Sequence, residues 1–145
     1  QDNFESGTLP AGRQVWNLLL EKNITPVVAP LTHDGEGHIL NTNADTIASA
    51  IAVALSSVYD VRLIYCFEKK GVLENVNDEN SVIRFITKEK YHQLLAEKKL
   101  FEGILPKLEN AFAAIDAGVK EVLIGDANDL IENTTEKTLG TLITA

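Results

Sequence analysis

Methionine is missing from all 145 residues, the first position included, and cysteine occurs once, as Cys66. A single thiol excludes an intrachain disulfide framework and fits a reducing compartment, so a cytoplasmic protein is expected. Cys66 lies in an apolar run, where a buried structural thiol is expected rather than a reactive one. Positive charge is also scarce. Lys and Arg number 13 against 21 Asp and Glu, a formal net charge of −8. That balance argues against nucleic acid or an anionic membrane as the main partner, while leaving room for a local basic pocket. No apolar stretch approaches the roughly 20 residues that cross a bilayer, and no signal peptide is visible. No membrane partner is therefore expected, and the Asn-x-Thr matches at Asn23 and Asn133 read as chance. His33, His38 and His92 show no metal-ligand spacing, and no metal ligands of the protein's own are expected. Gln1–Gly12 has no periodicity. With the missing Met, it suggests the later part of a longer chain, with 1–12 irregular and 13–145 one folded region.

The rest of the sequence is ordinary for a globular protein, at 45% hydrophobic and 23% charged residues. Arg13–Lys22 has the spacing of an amphipathic helix, with Val15, Trp16, Leu19 and Leu20 on one stripe and Asn23 as its stop. Thr25–Leu31 is a short apolar run that predicts a buried strand, limited by Pro26 and Pro30. Asp34-Gly35-Glu36-Gly37 predicts a hairpin turn, with His38–Leu40 as the return strand. Further helices are predicted over Asn43–Ser56, from a Thr87 cap to Lys98, over Gly103–Ala117 with Gly118 as the stop, and over Asp126–Asn133. Strands are predicted over Val61–Phe67, Val82–Ile86, Val119–Ile124 and from Gly140 to the end, with a short extended piece at Val72–Leu73. Helices alternating with apolar strands specify an α/β protein with a largely parallel sheet, whose ligands bind beyond the carboxyl ends of the strands.

Two helix starts carry chemistry. Asn41-Thr42-Asn43-Ala44-Asp45 places two amides and a carboxylate at the start of the second helix. One cap is all that a helix start needs, so the reading is either capping alone or capping combined with a ligand wall. Gly103-Ile104-Leu105-Pro106-Lys107 opens the long helix. Pro106 suits the first turn, whereas Lys107 opposes the macrodipole there. Lys107 is either a solvated side chain or one half of an anion site whose other half is the helix N-terminus. Taken together, these segments are equipment for phosphoryl transfer, which is mostly positioning and electrostatics and needs no protein nucleophile. No Walker loop, kinase-type Gly-rich loop, nucleophile elbow or Cys/His pair is present.

At these residues the chain resembles the acetylglutamate kinases of the amino acid kinase family. The similarity runs from about Leu18 to the end and is carried by Pro-Val-Val-Ala-Pro at 26–30, Asn-Thr-Asn-Ala-Asp at 41–45, Gly71-Val-Leu, Gly-Ile-Leu-Pro-Lys-Leu-Glu-Asn at 103–110, Ala-Gly-Val at 117–119 and Gly140-Thr. The resemblance implies a three-layer αβα sandwich of the carbamate kinase-like type, present in part. It implies transfer of the γ-phosphoryl of MgATP to the side-chain carboxylate of N-acetyl-L-glutamate or a similar N-acyl-glutamate, in arginine biosynthesis. By the same similarity Asn41 and Asn43 bind the amino-acid substrate, Asp45 orients catalytic lysines, and Lys107 stabilises the transferring phosphoryl group. Glu68, Lys69, Gly71 and Leu73, with Lys99, Leu100 and Phe101, line the nucleotide pocket. A homo-oligomer is implied for the full-length protein.

The sequence departs from the family in two places. Phe67-Glu68-Lys69-Lys70-Gly71 stands where relatives carry Ser/Thr-Asp-x-x-Gly, so the acid is longer and two lysines are added. The family's first catalytic lysine, its Gly-Gly loop and its substrate-binding arginine are not found in residues 1–24. A nucleotide-binding C-terminal half is therefore expected, weakly active or inactive alone, with apolar sheet edges exposed. The alternative from another class is a non-catalytic amino-acid or nucleotide sensor of kinase-like fold, which could lack that lysine.

Overall fold

The computed structural model describes residues 9–145 and divides them into two compact units, one ending at Ile47 and the other comprising Ala48–Ala145. In the first unit, helix α1 (Leu9–Glu21) begins four residues before the predicted start at Arg13. Pro10 falls in its first turn, where a missing N–H costs little. Leu9–Gly12 are thus helical, and the rest of the predicted irregular segment, residues 1–8, lies outside the described residues. Asn23 ends the helix as expected. It adopts φ 53°, and the bonds Asn23 N–H to Leu20 O and Ile24 N–H to Leu19 O form a Schellman motif. Of the predicted apolar stripe, Trp16 and Leu19 are half-buried while Val15 and Leu20 are exposed.

The Thr25–Leu31 prediction needs correction. Regular pairing starts only at Leu31, and Val27 is 96% exposed. Pro26 and Pro30 cannot donate to a ladder, and among the described residues this unit holds only β1 (Leu31–His33) and β2 (Ile39–Asn41) as strands. These form an antiparallel hairpin in the register Leu31↔Asn41, Thr32↔Leu40 and His33↔Ile39, with Thr32 and Thr42 hydroxyls 2.7 Å apart. Ile39 and Leu40 are exposed as well.

The division between the units falls inside helix α2 (Ala44–Ser56). The second unit contains β3 (Arg62–Phe67), β4 (Phe85–Ile86), α3 (Lys88–Ala96), α4 (Leu105–Asp116), β5 (Glu121–Asp126), α5 (Leu130–Asn133) and β6 (Thr141–Ile143). The sheet order is β3-β5-β6-β4. β3 runs parallel to β5 from Arg62↔Glu121 to Phe67↔Asp126, β4 runs parallel to β6, and β6 is antiparallel to β5. The sheet is mainly parallel and flanked by helices, as the alternation predicts. The Val82–Ile86 strand is shorter than predicted, because Val82 instead bridges Leu73 across a small antiparallel turn.

Local chemistry explains most boundaries. The Thr87 hydroxyl caps α3 by accepting from Lys90 N–H at 3.3 Å. Tyr91 and Leu94 face inward, whereas Leu95, also predicted inward, is exposed. Gly118, at φ 106°, ends α4 with bonds from Gly118 N–H to Ile115 O and from Val119 N–H to Ala114 O. Val119 is used in that motif, so β5 starts at Glu121 and not at Val119. Leu108, Phe112 and Ile115 form the buried face of α4 as expected, in one core with Tyr65, Val122 and Ile124. Each large side chain so buried contributes about 1.5–3 kcal/mol.

α3 ends with the same geometry at an unfavourable residue. Lys98 adopts φ 52°, with Lys98 N–H bonded to Leu95 O and Lys99 N–H to Leu94 O. A side chain in this conformation is strained where Gly is not. Lys98→Gly is expected to raise stability by about 0.5–1 kcal/mol, measured as a higher urea midpoint with unchanged slope.

Cys66 is exposed, contrary to the buried thiol expected. Alternation along β3 buries Leu63 and Tyr65 and turns Cys66 to the opposite face. An apolar run gives no indication of which face a single residue takes.

Candidate functional site

β3 ends in Tyr65-Cys66-Phe67, and period-two alternation puts Tyr65 and Phe67 on one face. The first turn of α4 brings Lys107 over both rings. Its Nζ lies 5.3 Å from the Tyr65 ring centroid and 5.7 Å from that of Phe67. Both distances are within reach of a cation–π attraction. Phe67 in turn stacks on Phe101, with centroids 6.4 Å apart and planes 19° from parallel. Phe101 immediately precedes the 3-10 turn Glu102–Ile104 that leads into α4. The Tyr65 hydroxyl is 2.5 Å from Ser49 Oγ on α2, which fixes one ring of the pair. Lys107 is half-buried on this aromatic shelf.

The helix start at Lys107 continues directly from the 3-10 turn, with the Ile104 N–H bonded to Phe101 O and the Leu105 N–H to Glu102 O. Ile104 is the N-cap and makes no side-chain cap, Pro106 occupies the first turn, and no acidic residue lies there. The ammonium on the adjacent rings places a positive charge at the carboxyl end of β3. This is where an α/β sheet places its ligands.

The residues predicted for nucleotide binding follow β3 or lead into α4. Glu68 and Lys69 form a bend after Phe67, Glu68 exposed and Lys69 half-buried. Gly71, Val72 and Leu73 are buried. Lys99 is held by Glu97, Nζ to Oε2 at 2.9 Å, and that pairing raises the Lys99 pKa above its ordinary value. Leu100 and Phe101 pack against the core.

Asn41, Asn43 and Asp45 belong to the first unit. Asn41 ends β2, paired with Leu31, and is exposed. Asn43 is a working N-cap. Its Oδ1 accepts from Asp45 N–H at 2.8 Å and from Thr46 N–H at 3.2 Å. The capping reading therefore holds for Asn43. Asp45 sits in the first turn of α2, where a carboxylate suits the dipole.

Among the described residues, Asp34, Glu36 and His38 form one group of potential metal ligands, all exposed, with ligand atoms within 4.8 Å of one another. The Asp34 carboxylate already serves the turn. It accepts from Glu36 N–H at 2.7 Å and from His38 N–H at 3.2 Å, and lies 2.6 Å from His38 Nδ1. The Glu36 amide first, and then the His38 ring, hold the Asp34 pKa below its ordinary value. This is hairpin chemistry of the kind that the sequence predicts at this turn.

Sequence reasoning missed Tyr65 as part of the site and used Phe67 only as a point of departure from relatives. The signal was present in the alternation Leu63, Tyr65, Phe67, which puts two rings on one face of β3. Asn133 and Thr141, both buried polar residues near the carboxyl end of β5, were also missed. Thr141 was marked only as part of Gly140-Thr, and its partner Val72 lies 69 positions away, whereas Asn133 bonds Leu139 and Gly140 just after it.

Comparison with known proteins adds a second line of observation. Residues 9–126 match the model of the amino acid kinase family. An acetylglutamate kinase of Bacteroides thetaiotaomicron is 55% identical over 115 residues, which cover 79% of this chain and 45% of that protein. The solved structure of smu.665 from Streptococcus mutans superposes with a TM-score of 0.69 at 38% identity, over 92% of this chain and 48% of the other. A Giardia carbamate kinase shares the fold, with a TM-score of 0.64 at 17% identity over 92% of this chain and 48% of its own. The chain thus spans about half the length of the relatives that it matches.

Proposed function

The chain belongs to the amino acid kinase family, and from that membership we propose that it forms the nucleotide-binding half of a kinase acting on an N-acylated glutamate. In the proposed reaction a side-chain carboxylate oxygen of N-acetyl-L-glutamate, or a close analogue, attacks the γ-phosphorus of MgATP. The bond from that phosphorus to the β,γ-bridging oxygen breaks, and ADP leaves with the electron pair. The product is an acyl phosphate of the arginine pathway. Mg2+ enters with ATP as substrate.

The observation that carries this reading is the Lys107 ammonium on the Tyr65 and Phe67 rings, beside a helix start without a side-chain cap. A loose phosphoryl-transfer transition state spreads negative charge over equatorial oxygens. An ammonium already in place stabilises that charge with little reorganisation. The rings exclude water from one side of the ammonium and so strengthen its field. Glu68–Leu73 and Lys99–Phe101 contact the nucleotide. Asn41 contacts the amino-acid substrate, Asn43 orders the start of α2, and Asp45 is the carboxylate of the catalytic apparatus. The working enzyme is a cytoplasmic homo-oligomer.

Calorimetric titration of the folded 145-residue chain with MgATP tests the nucleotide reading. Saturable binding that weakens when Mg2+ is chelated is the expected result. Absence of binding in a demonstrably folded sample rejects it. The sensor alternative separates at the next step, since a sensor would bind nucleotide without forming acyl phosphate.

A further inference from the structure

Thr141 opens β6 and is completely buried, as is Val72. Its Oγ1 accepts a hydrogen bond from Val72 N–H at 2.8 Å, across 69 positions of sequence. Two other backbone bonds of this turn, Ile83 N–H to Val72 O and Glu74 N–H to Ser81 O, run to the adjoining loop and not to the sheet. The Thr141 hydroxyl therefore ties the turn that follows β3 to a strand of the sheet. Gly71 sits against the same residue. A Cβ added there would lie 2.6 Å from Thr141 Oγ1, 2.9 Å from Val82 Cγ1 and 3.1 Å from Thr141 N. Only a residue without a side chain permits this approach.

Thr141 is itself held from behind. Asn133 is 1% exposed, and its Oδ1 accepts from Leu139 N–H at 2.9 Å and Gly140 N–H at 3.2 Å. Its Nδ2 lies where a Cβ on Gly125 would come within 2.5 Å. β6 continues into regular pairing with β5 through Ile124↔Thr141 and with β4 through Phe85↔Leu142. A rigid series of contacts thus runs from Asn133 through Gly140 and Thr141 to Val72.

We infer that Thr141 is a positioning residue for nucleotide, setting the backbone of Gly71–Leu73 through Val72 N–H. The inference rests on the proposed role of that turn in holding MgATP. Its chemistry is general: a pocket wall made of backbone is only as exact as the bonds that fix it. An isosteric Val at this position fills the same space but leaves a buried N–H without its acceptor. The turn must then move to find another.

The test compares Thr141→Val and Thr141→Ser in the 145-residue chain, with MgATP affinity by calorimetry and hydrogen exchange of the Val72 amide as readouts. Thr141→Val is expected to weaken MgATP at least fivefold and to accelerate Val72 exchange relative to the β5 amides. Thr141→Ser, which keeps the hydroxyl, should leave both within twofold of the parent. Faster Val72 exchange in Thr141→Val with unchanged MgATP affinity would overturn the positioning role alone. Failure of the parent chain to bind MgATP would overturn the nucleotide reading and this inference with it. Should Thr141→Val not fold, Gly71→Ala forces the same turn and Thr141 apart sterically while keeping the Thr141 hydroxyl. Unchanged MgATP affinity in that variant would likewise overturn the proposal.

Discussion

For the proposed phosphoryl transfer, Lys107→Ala is expected to lower turnover by two to three orders of magnitude, about 2.7–4 kcal/mol of transition-state stabilisation. The site explains the size. The ammonium sits on the Tyr65 and Phe67 rings at the carboxyl end of β3, positioned before any substrate arrives. Its removal takes away a preorganised charge, and water that fills the gap must reorient during the reaction. Folding should be nearly untouched. A cation in the first turn of α4 opposes the helix dipole, so its loss is neutral or slightly favourable to the helix itself. The loss of ring contact offsets part of that. Steady-state kinetics paired with urea unfolding read both quantities on one preparation. Turnover within threefold of the parent would remove Lys107 from the catalytic apparatus. Lys107→Arg is a useful companion, because a planar guanidinium stacks on the same rings but places its charge differently.

Gly140→Ala is expected to destabilise the protein by about 3 kcal/mol or to prevent folding. The neighbours of an added methyl group are backbone: the carbonyl of Ile124, and Gly125 Cα at 3.1 Å. Neither can rotate away as a side chain can. The substitution also strains the two N–H bonds to Asn133, whose Oδ1 orders the entry to β6. A thermal or urea midpoint shift is the measurement. A loss below about 1 kcal/mol would mean that β5 and β6 can separate at this point, contrary to their close approach. Gly35 and Gly37 provide the contrast, since no atom lies within 4 Å of a Cβ there and only their positive φ values resist substitution.

Much of the fold was legible because local chemistry and periodicity agreed. Asn23 and Gly118 stop helices by the left-handed geometry that their chemistry favours, and Thr87 starts one with its hydroxyl. The alternation of helices with apolar strands placed β3, α4, β5 and β6 in the right order. Failures occurred where a pattern had no partner to act on. Val27–Ala29 has the composition of a buried strand, but the described residues offer it no ladder. Cys66 was misplaced because a continuous apolar run hides which face each residue takes.

The candidate site divides in the same way. Lys107 was legible because it breaks a local rule, and the structure shows what accompanies the break: two rings under the ammonium. Asn43 was legible as a cap, and its amide oxygen does that work. Thr141 and Asn133 were not legible. Their contacts with Val72 and Gly125 are ones that only the folded sheet brings together.

The prolines that frame Val27-Val28-Ala29 also bear on the colloidal behaviour of the chain. Cross-β stacking needs an uninterrupted segment of about six or seven strand-forming residues, each offering its N–H to the copy above. Here the exposed run between Pro26 and Pro30 is three residues long. Both flanking positions lack the donor that would continue a ladder. This exposed apolar run is thus poorly suited to seed a fibril, and Pro26 and Pro30 act there as gatekeepers.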